Sequence, residues 1–227
     1  MGQKNTVAQA IPAQSIVADE SLKDWPEGLL WYTIDSYYGP DKTHDEDFSA
    51  RFTTAHHLFK NELYVAVQVT DDSHISSEVS GHQNQDHMLL YLNFNYNKRG
   101  AAPLFVVGAN DVLEVHTKYA QDAPFHPSLD TSDFELALAR NGNTTIYEWI
   151  IQCPDTIRLG THIGIDPFII DQHDGQENQA NVLWRDGFWK SAGGKKLGTI
   201  VLTNTESTCT TVTGVILVED NTVDNKP

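Results

Sequence analysis

The chain has 227 residues, 40% of them hydrophobic, with 15 basic and 31 acidic residues and a formal net charge of −16. This length and apolar content suit one β-sandwich domain with trimmings, or one domain and a fragment of a second, and argue against disorder. The charge excludes a nucleic-acid partner, whose phosphates need a basic face, and disfavours an anionic membrane surface; neutral ligands and cations remain open.

In chain order, residues 1–15 read as a polar leader. MGQKNTVAQAIPAQ lacks the apolar centre of a signal peptide, so the chain is either cytosolic or has had a signal removed. His56 and His57 are adjacent, so on a strand they point to opposite faces. No His-x-x-x-His or Cys-x-x-Cys spacing occurs, and zinc chemistry is not expected. LYVAVQV (63–69) alternates, with Leu63, Val65, Val67 and Val69 on one face, which predicts a half-buried strand ending at Asp71-Asp72. HMLLYLNFN (87–95) does the same with Met88, Leu90, Leu92 and Phe94.

Further strands are predicted in PLFVVGA, VLEVHTKYA, FELALAR, TIYEWIIQ, HIGIDPFII and LGTIVL, with turn residues between them. Asn141-Gly142 between FELALAR and TIYEWII predicts a hairpin. No long segment combines helical periodicity with caps, and no run of 18 apolar residues predicts a membrane-spanning helix. The expected fold is all-β: an antiparallel two-sheet sandwich, jelly-roll or immunoglobulin-like, over residues 16–202. Val65, Val67, Leu90, Leu92, Trp149 and Ile151 should lie inside. The tail, 203–227, is polar and then offers VTGVILVED as one more strand. Cys153 and Cys209 are the two cysteines, either bridged or both buried as thiols.

The stretch DQHDGQENQANVLWRDGFW (171–189) concentrates the candidate binding chemistry. A sugar offers C–H groups on its faces and hydroxyls at its rim, so its site needs a flat aromatic beside carboxylates or amides. Trp189 is the candidate platform, and Asp171, Asp174 and Gln179 are the candidate rim partners. Trp184, at the end of VLW, reads as sandwich packing. Asp71 and Asp72 could hold calcium, which takes oxygen ligands from loops, or they form a solvated turn. Asp171-x-His173-Asp174-Gly175 is not an EF-hand loop, because its glycine comes one place early. No G-x-S-x-G and no phosphate loop occurs, and the carboxylates are too numerous to single out a hydrolytic pair.

The order of several segments resembles the family 9 carbohydrate-binding modules and their DOMON-like relatives. ADESLKDW (18–25) is similar to the family's acidic lead into a Trp. FSARFTTAHHLFKNELYVAVQVTDDSH (48–74) is similar to its strand, turn, strand and acidic pair. DHMLLYLNF (86–94), YEWIIQCP (147–154), LGTHIGIDPFIIDQHDG (159–175), a Trp-bearing loop and LGTIVL (197–202) complete the pattern. The resemblance implies a secreted, extracellular or periplasmic module that binds a glycan or oligosaccharide without catalysis, associated with glycan degradation. It implies structural calcium, and it gives Trp189 one wall of an aromatic clamp. The second wall would be a Trp before the acid-led strand, where this chain reads SGHQNQDH, leaving His82 or His87 to stack. Some relatives hold a b-type haem instead, for which Met88 and Lys195-Lys196 are the available ligands. A spacer or adhesion sandwich without a small ligand is the third reading.

Overall fold

The computed structural model describes residues 6–38, 48–76, 85–94, 104–109, 112–116, 131–172, 179–185 and 197–204. Their strands are β1 (Val7–Pro12), β2 (Tyr32–Ile34), β3 (Ser36–Tyr38), β4 (Ser49–His57), β5 (Glu62–Thr70), β6 (His87–Asn93), β7 (Leu104–Ala109), β8 (Val112–His116), β9 (Phe134–Asn141), β10 (Thr144–Gln152), β11 (His162–Gln172), β12 (Gln179–Leu183) and β13 (Gly198–Leu202). Helical structure among the described residues is limited to 3-10 turns at Leu22–Asp24 and Thr131–Asp133.

The strands make two sheets joined at β1. The first runs β8-β7-β6-β11-β13-β1, with β12 and β3 paired beyond the other half of β11. The second runs β1-β4-β5-β10-β9, with β2 on β4. Residues Val7 to Ala10 pair in parallel with β13, and Ile11 and Pro12 pair in parallel with β4. Every other pairing is antiparallel. The expected all-β sandwich is present, with a parallel seam where β1 passes from sheet to sheet. The reading of residues 1–15 as a leader misses this strand. Two of its three buried side chains, Ala8 and Ala10, are small, the third, Ile11, breaks their alternation, and its partners lie far along the chain, so no local periodicity announces it.

The core sits between the sheets. Phe52, Leu63, Val65, Val67, Tyr147, Trp149 and Ile151 from the second sheet meet Met88, Leu90, Leu92, Ile163, Ile165, Ile169 and Ile200 from the first. Register keeps each face consistent, with Trp149 opposite Val65 and Tyr147 opposite Val67. The six residues expected inside are all fully buried, and burial of each such side chain contributes about 1.5–3 kcal/mol.

The other face of β5 departs from simple alternation. Tyr64 and Ala66 are also fully buried, because the irregular segment before β2 lays Ile16 and Trp25 across them. The half-buried strand read from LYVAVQV is therefore covered on both faces over this stretch. The hairpin at β9–β10 forms one residue later than Asn141-Gly142 suggests. Asn141 pairs with Thr144, so Gly142 and Asn143 are the central residues. Gly142 has φ +61°, which places glycine at the first central position of a II′-type turn, where a side chain would be strained.

Candidate functional site

The inward-facing rows of both sheets end in carboxylates at one end of the sandwich. On β5 the row Leu63, Val65, Val67, Val69 continues to Asp71. Ile170 pairs with His87, which brings Asp171, at the end of β11, beside Asp86, just before β6. The residues lie 15 and 85 positions apart in sequence, yet the carboxylate oxygens of Asp71, Asp86 and Asp171 fall within 4.8 Å of one another. All three side chains are buried. Fully ionised, each pair at that separation repels by roughly 3 kcal/mol at an effective dielectric of 20.

Local hydrogen bonds fix the cluster. Asp86 accepts from the backbone N–H of Ile75 (2.9 Å) and of Gln172 (2.8 Å), and its Oδ2 lies 2.9 Å from Nδ1 of His74. It thereby ties the chain after β5 to the end of β11. Asp71 accepts from the Ser73 N–H at 3.0 Å. Among the described residues, the guanidinium nearby is that of Arg140, which reaches inward from β9 to donate to Thr145 Oγ1 and to the Asp71 carbonyl. Burial pushes the Asp71 carboxyl above its ordinary pKa; the Ser73 N–H and Arg140 oppose the shift and Asp86 adds to it. Three buried carboxylates beside one guanidinium fit a divalent cation with oxygen ligands. Asp72 is exposed and is not one of the three.

The segment that carries Trp189 lies outside the described residues, but its two ends are visible. Asp166, fully buried in β11, accepts the backbone N–H groups of Trp184 (3.0 Å) and Arg185 (3.3 Å) through Oδ1. The Arg185 guanidinium donates to the Leu197 carbonyl. The chain therefore leaves and re-enters the first sheet against the middle of β11, about 16 Å along the strand from Asp171. Asp166 is a positioning residue that the sequence reading missed. Its signal was an acid in the otherwise apolar HIGIDPFII.

Of the sequence-predicted partners, Asp171 is brought to the carboxylate cluster. Gln179 opens β12 opposite Gln172, at the same end of the sandwich. Asp174 and His82 lie outside the described residues, as do Lys195, Lys196 and Cys209. His87 is 4% exposed with Nδ1 2.8 Å from the Gln85 carbonyl, so it offers no free stacking face. Trp184 is core: it packs against Phe52 with ring centroids 4.7 Å apart and against Tyr32 at 6.2 Å. Its ring lies directly over Gly198, where an added Cβ would come within 2.2 Å of it.

Comparison with known proteins bears on this geometry. A family model described as "Carbohydrate family 9 binding domain-like" matches residues 20–205. Two solved structures of a carbohydrate-binding module family 9 protein from Caldicellulosiruptor kristjanssonii share the fold at 18% identity, each with a TM-score of 0.69. One, in complex with cellotriose, aligns over 88% of this chain and 94% of its own; the other, in complex with glucose, aligns over 90% and 99%. Comparison with curated proteins gives no match.

Proposed function

The chain belongs to the carbohydrate family 9 binding domain-like family, and from that premise we propose that it is a non-catalytic module that holds a neutral glycan or its chain end. The family match over residues 20–205, on a sandwich of the same fold as modules solved with cellotriose and glucose, carries this reading. The net charge of −16 favours an uncharged ligand over a polyanion. The module works outside the cell and brings glycan-degrading activity to its substrate.

In this reading Trp189 stacks on a sugar face, and Asp174 and Gln179 bind rim hydroxyls. His82, in the stretch without a second tryptophan, supplies the weaker opposing wall. One stacked ring and a few exposed hydrogen bonds leave little surplus after ordering costs, so affinity is modest. Asp171 serves the cation cluster instead of the sugar. Calcium there would be held by Asp71, Asp86 and Asp171, with Asp72 exposed beside them. It would neutralise the cluster and cross-link the ends of the two sheets. The haem alternative finds Met88 fully buried in the inter-sheet core among Leu90, Leu92 and Ile169, spent on packing.

Titration calorimetry with glucose and cellotriose, paired with thermal melts, tests the site. Trp184→Ala should cost about 3–5 kcal/mol of stability, as a large core truncation does. Trp189→Ala should melt close to wild type while losing sugar binding. Undiminished binding by Trp189→Ala, or its unfolding, removes Trp189 from the site. A wild-type protein that binds neither sugar nor other glucans favours the spacer reading.

A further inference from the structure

His56 stands at the junction of the two sheets and plays no part in the readings above. It is 1% exposed, on the inward-facing row of β4, opposite Leu63 of β5 and Pro12 of β1. Its Nε2 lies 2.9 Å from the carbonyl oxygen of Thr203, the residue after β13. A carbonyl only accepts, so the proton of the neutral ring must be on Nε2. Nδ1 then carries the lone pair, and it is buried with no hydrogen-bond partner among the described residues. Any second proton must add at that atom, away from water and without an acceptor.

The surrounding bonds all close the same seam. The Ala13 N–H donates to the His56 carbonyl at 2.9 Å, directly after β1 leaves β4. Thr203 donates to the Ala10 carbonyl through its N–H at 3.0 Å and through Oγ1 at 3.2 Å. The imidazole thus bridges the second sheet to the chain that leaves the first, with β1 between them.

We propose that His56 is an acid-sensitive latch: neutral, it ties the chain exit at Thr203 to β4 and closes the seam between the sheets; protonated, it must leave its pocket, and the seam opens. Among the described residues, the ionisable groups around it do not supply a counter-charge. On β4 the neighbour is His57, a second base, whose Nδ1 accepts from the Lys60 N–H. On β5 the adjacent Glu62 pairs with His57 and binds Tyr64 Oη, and residues 7–12 of β1 carry no ionisable side chain. From β10 the row continues through Ile151 towards Cys153, whose thiol burial holds at about 12, well above the pH range in question. Burial first, and then His57, hold the His56 ring below its ordinary pKa, and the Thr203 carbonyl only partly offsets them. The closed latch therefore refuses the proton that the open one accepts. Below about pH 6.5 the open population should rise towards tenfold per pH unit, until the closed-state pKa is reached.

Native-state hydrogen exchange on the full chain, corrected for intrinsic rates, tests this. The reporters are the Thr203 and Ala13 amides, and the references are amides of β5 and β10. In wild type and in His57→Gln, reporter opening should climb between pH 7 and pH 5 while the references stay level. His56→Gln keeps a donor near Thr203 without a titrating group, and its reporters should stay flat. Reporter opening that climbs equally in His56→Gln, or references that climb with the reporters, overturns the latch. An NMR titration of the wild-type imidazole decides the matter even if the variant does not fold. A His56 pKa below 6.5 is expected, and one at or above 6.5 overturns the proposal.

Discussion

Two groups of three carboxylates face each other in kind but not in construction. Asp71, Asp86 and Asp171 meet inside the end of the sandwich, and Asp19, Asp24 and Glu148 meet on the outer face of the second sheet, each trio within 4.8 Å. In the second trio only Glu148 is buried, and its charge is answered from within. Trp25 Nε1 donates to Oε1 at 2.6 Å, and the Asp19 and Glu20 N–H groups donate to Oε2 at 3.1 Å. Asp19 and Asp24 are exposed, where water screens them. In the first trio all three carboxylates are buried. Acid count alone therefore does not mark a cation site. Shared burial is what distinguishes the first trio, because it removes the solvent that would otherwise tolerate three charges.

The largest expected effect separates the trios by metal. Calcium at about a thousand times its dissociation constant should add about 4 kcal/mol to native stability, which for a chain of this size is roughly 10 °C in melting temperature. Asp171→Asn should abolish that gain, and Asp24→Asn should leave it intact. A melting curve indifferent to chelator and to added calcium removes the ion from the first trio. Loss of the gain in Asp24→Asn instead would place the ion at the second trio.

A smaller effect belongs to the second trio. Trp25→Phe keeps an aromatic ring beside Tyr64 but deletes the N–H that Glu148 receives. A hydrogen bond to a buried charge contributes about 1.5–3 kcal/mol, so denaturant unfolding should show a loss near 2 kcal/mol. The loss should shrink in a Glu148→Gln background, because the two side chains are coupled. Calcium should not change it. A calcium-dependent cost for Trp25→Phe would mean that both trios take the ion.

The sequence foretells the strands far better than these trios, and the reason is the range over which each is encoded. Alternation in ELYVAVQVT and HMLLYLN is local, since each residue's face follows from its neighbours, and β5 and β6 appear where that pattern lies. β1 escapes because its burial depends on parallel partners far away in β13 and β4. The carboxylate cluster escapes for the same reason: Asp71 was legible as a strand-end acid, but its meeting with Asp86 and Asp171 needs the register of two sheets. Asp171 stood out in sequence as a candidate sugar partner, and nothing local shows that the inward row of β11 reaches it. Glu148 and Asp166 left a fainter sign. Each is an acid set into an apolar strand, TIYEWII and HIGIDPFII, and a buried carboxylate in such a place must find donors.

The smallest effect is a pH dependence, and its sign is opposite to that of most carboxylates. In the calcium-free protein, burial raises the carboxyl of Asp71 above its usual 3.8 and that of Glu148 above its usual 4.5, against the hydrogen bonds that favour the charged forms. The native state therefore keeps these protons to higher pH than the unfolded chain does. Stability then falls as pH rises from the unfolded values through the folded ones, and levels off above them. Calcium needs deprotonated ligands, so protons compete with it at the acid end, and the stability it adds grows as pH rises. Chemical denaturation from pH 4 to 7, with and without calcium, should show the Asp71 part of the fall cancelled by the ion. The Glu148 part should persist with calcium present and disappear in Glu148→Gln. If calcium leaves the slope unchanged, Asp71 is not a ligand. If Glu148→Gln alters the calcium-dependent part, the two trios are not independent, and the contrast in burial does not decide which of them binds.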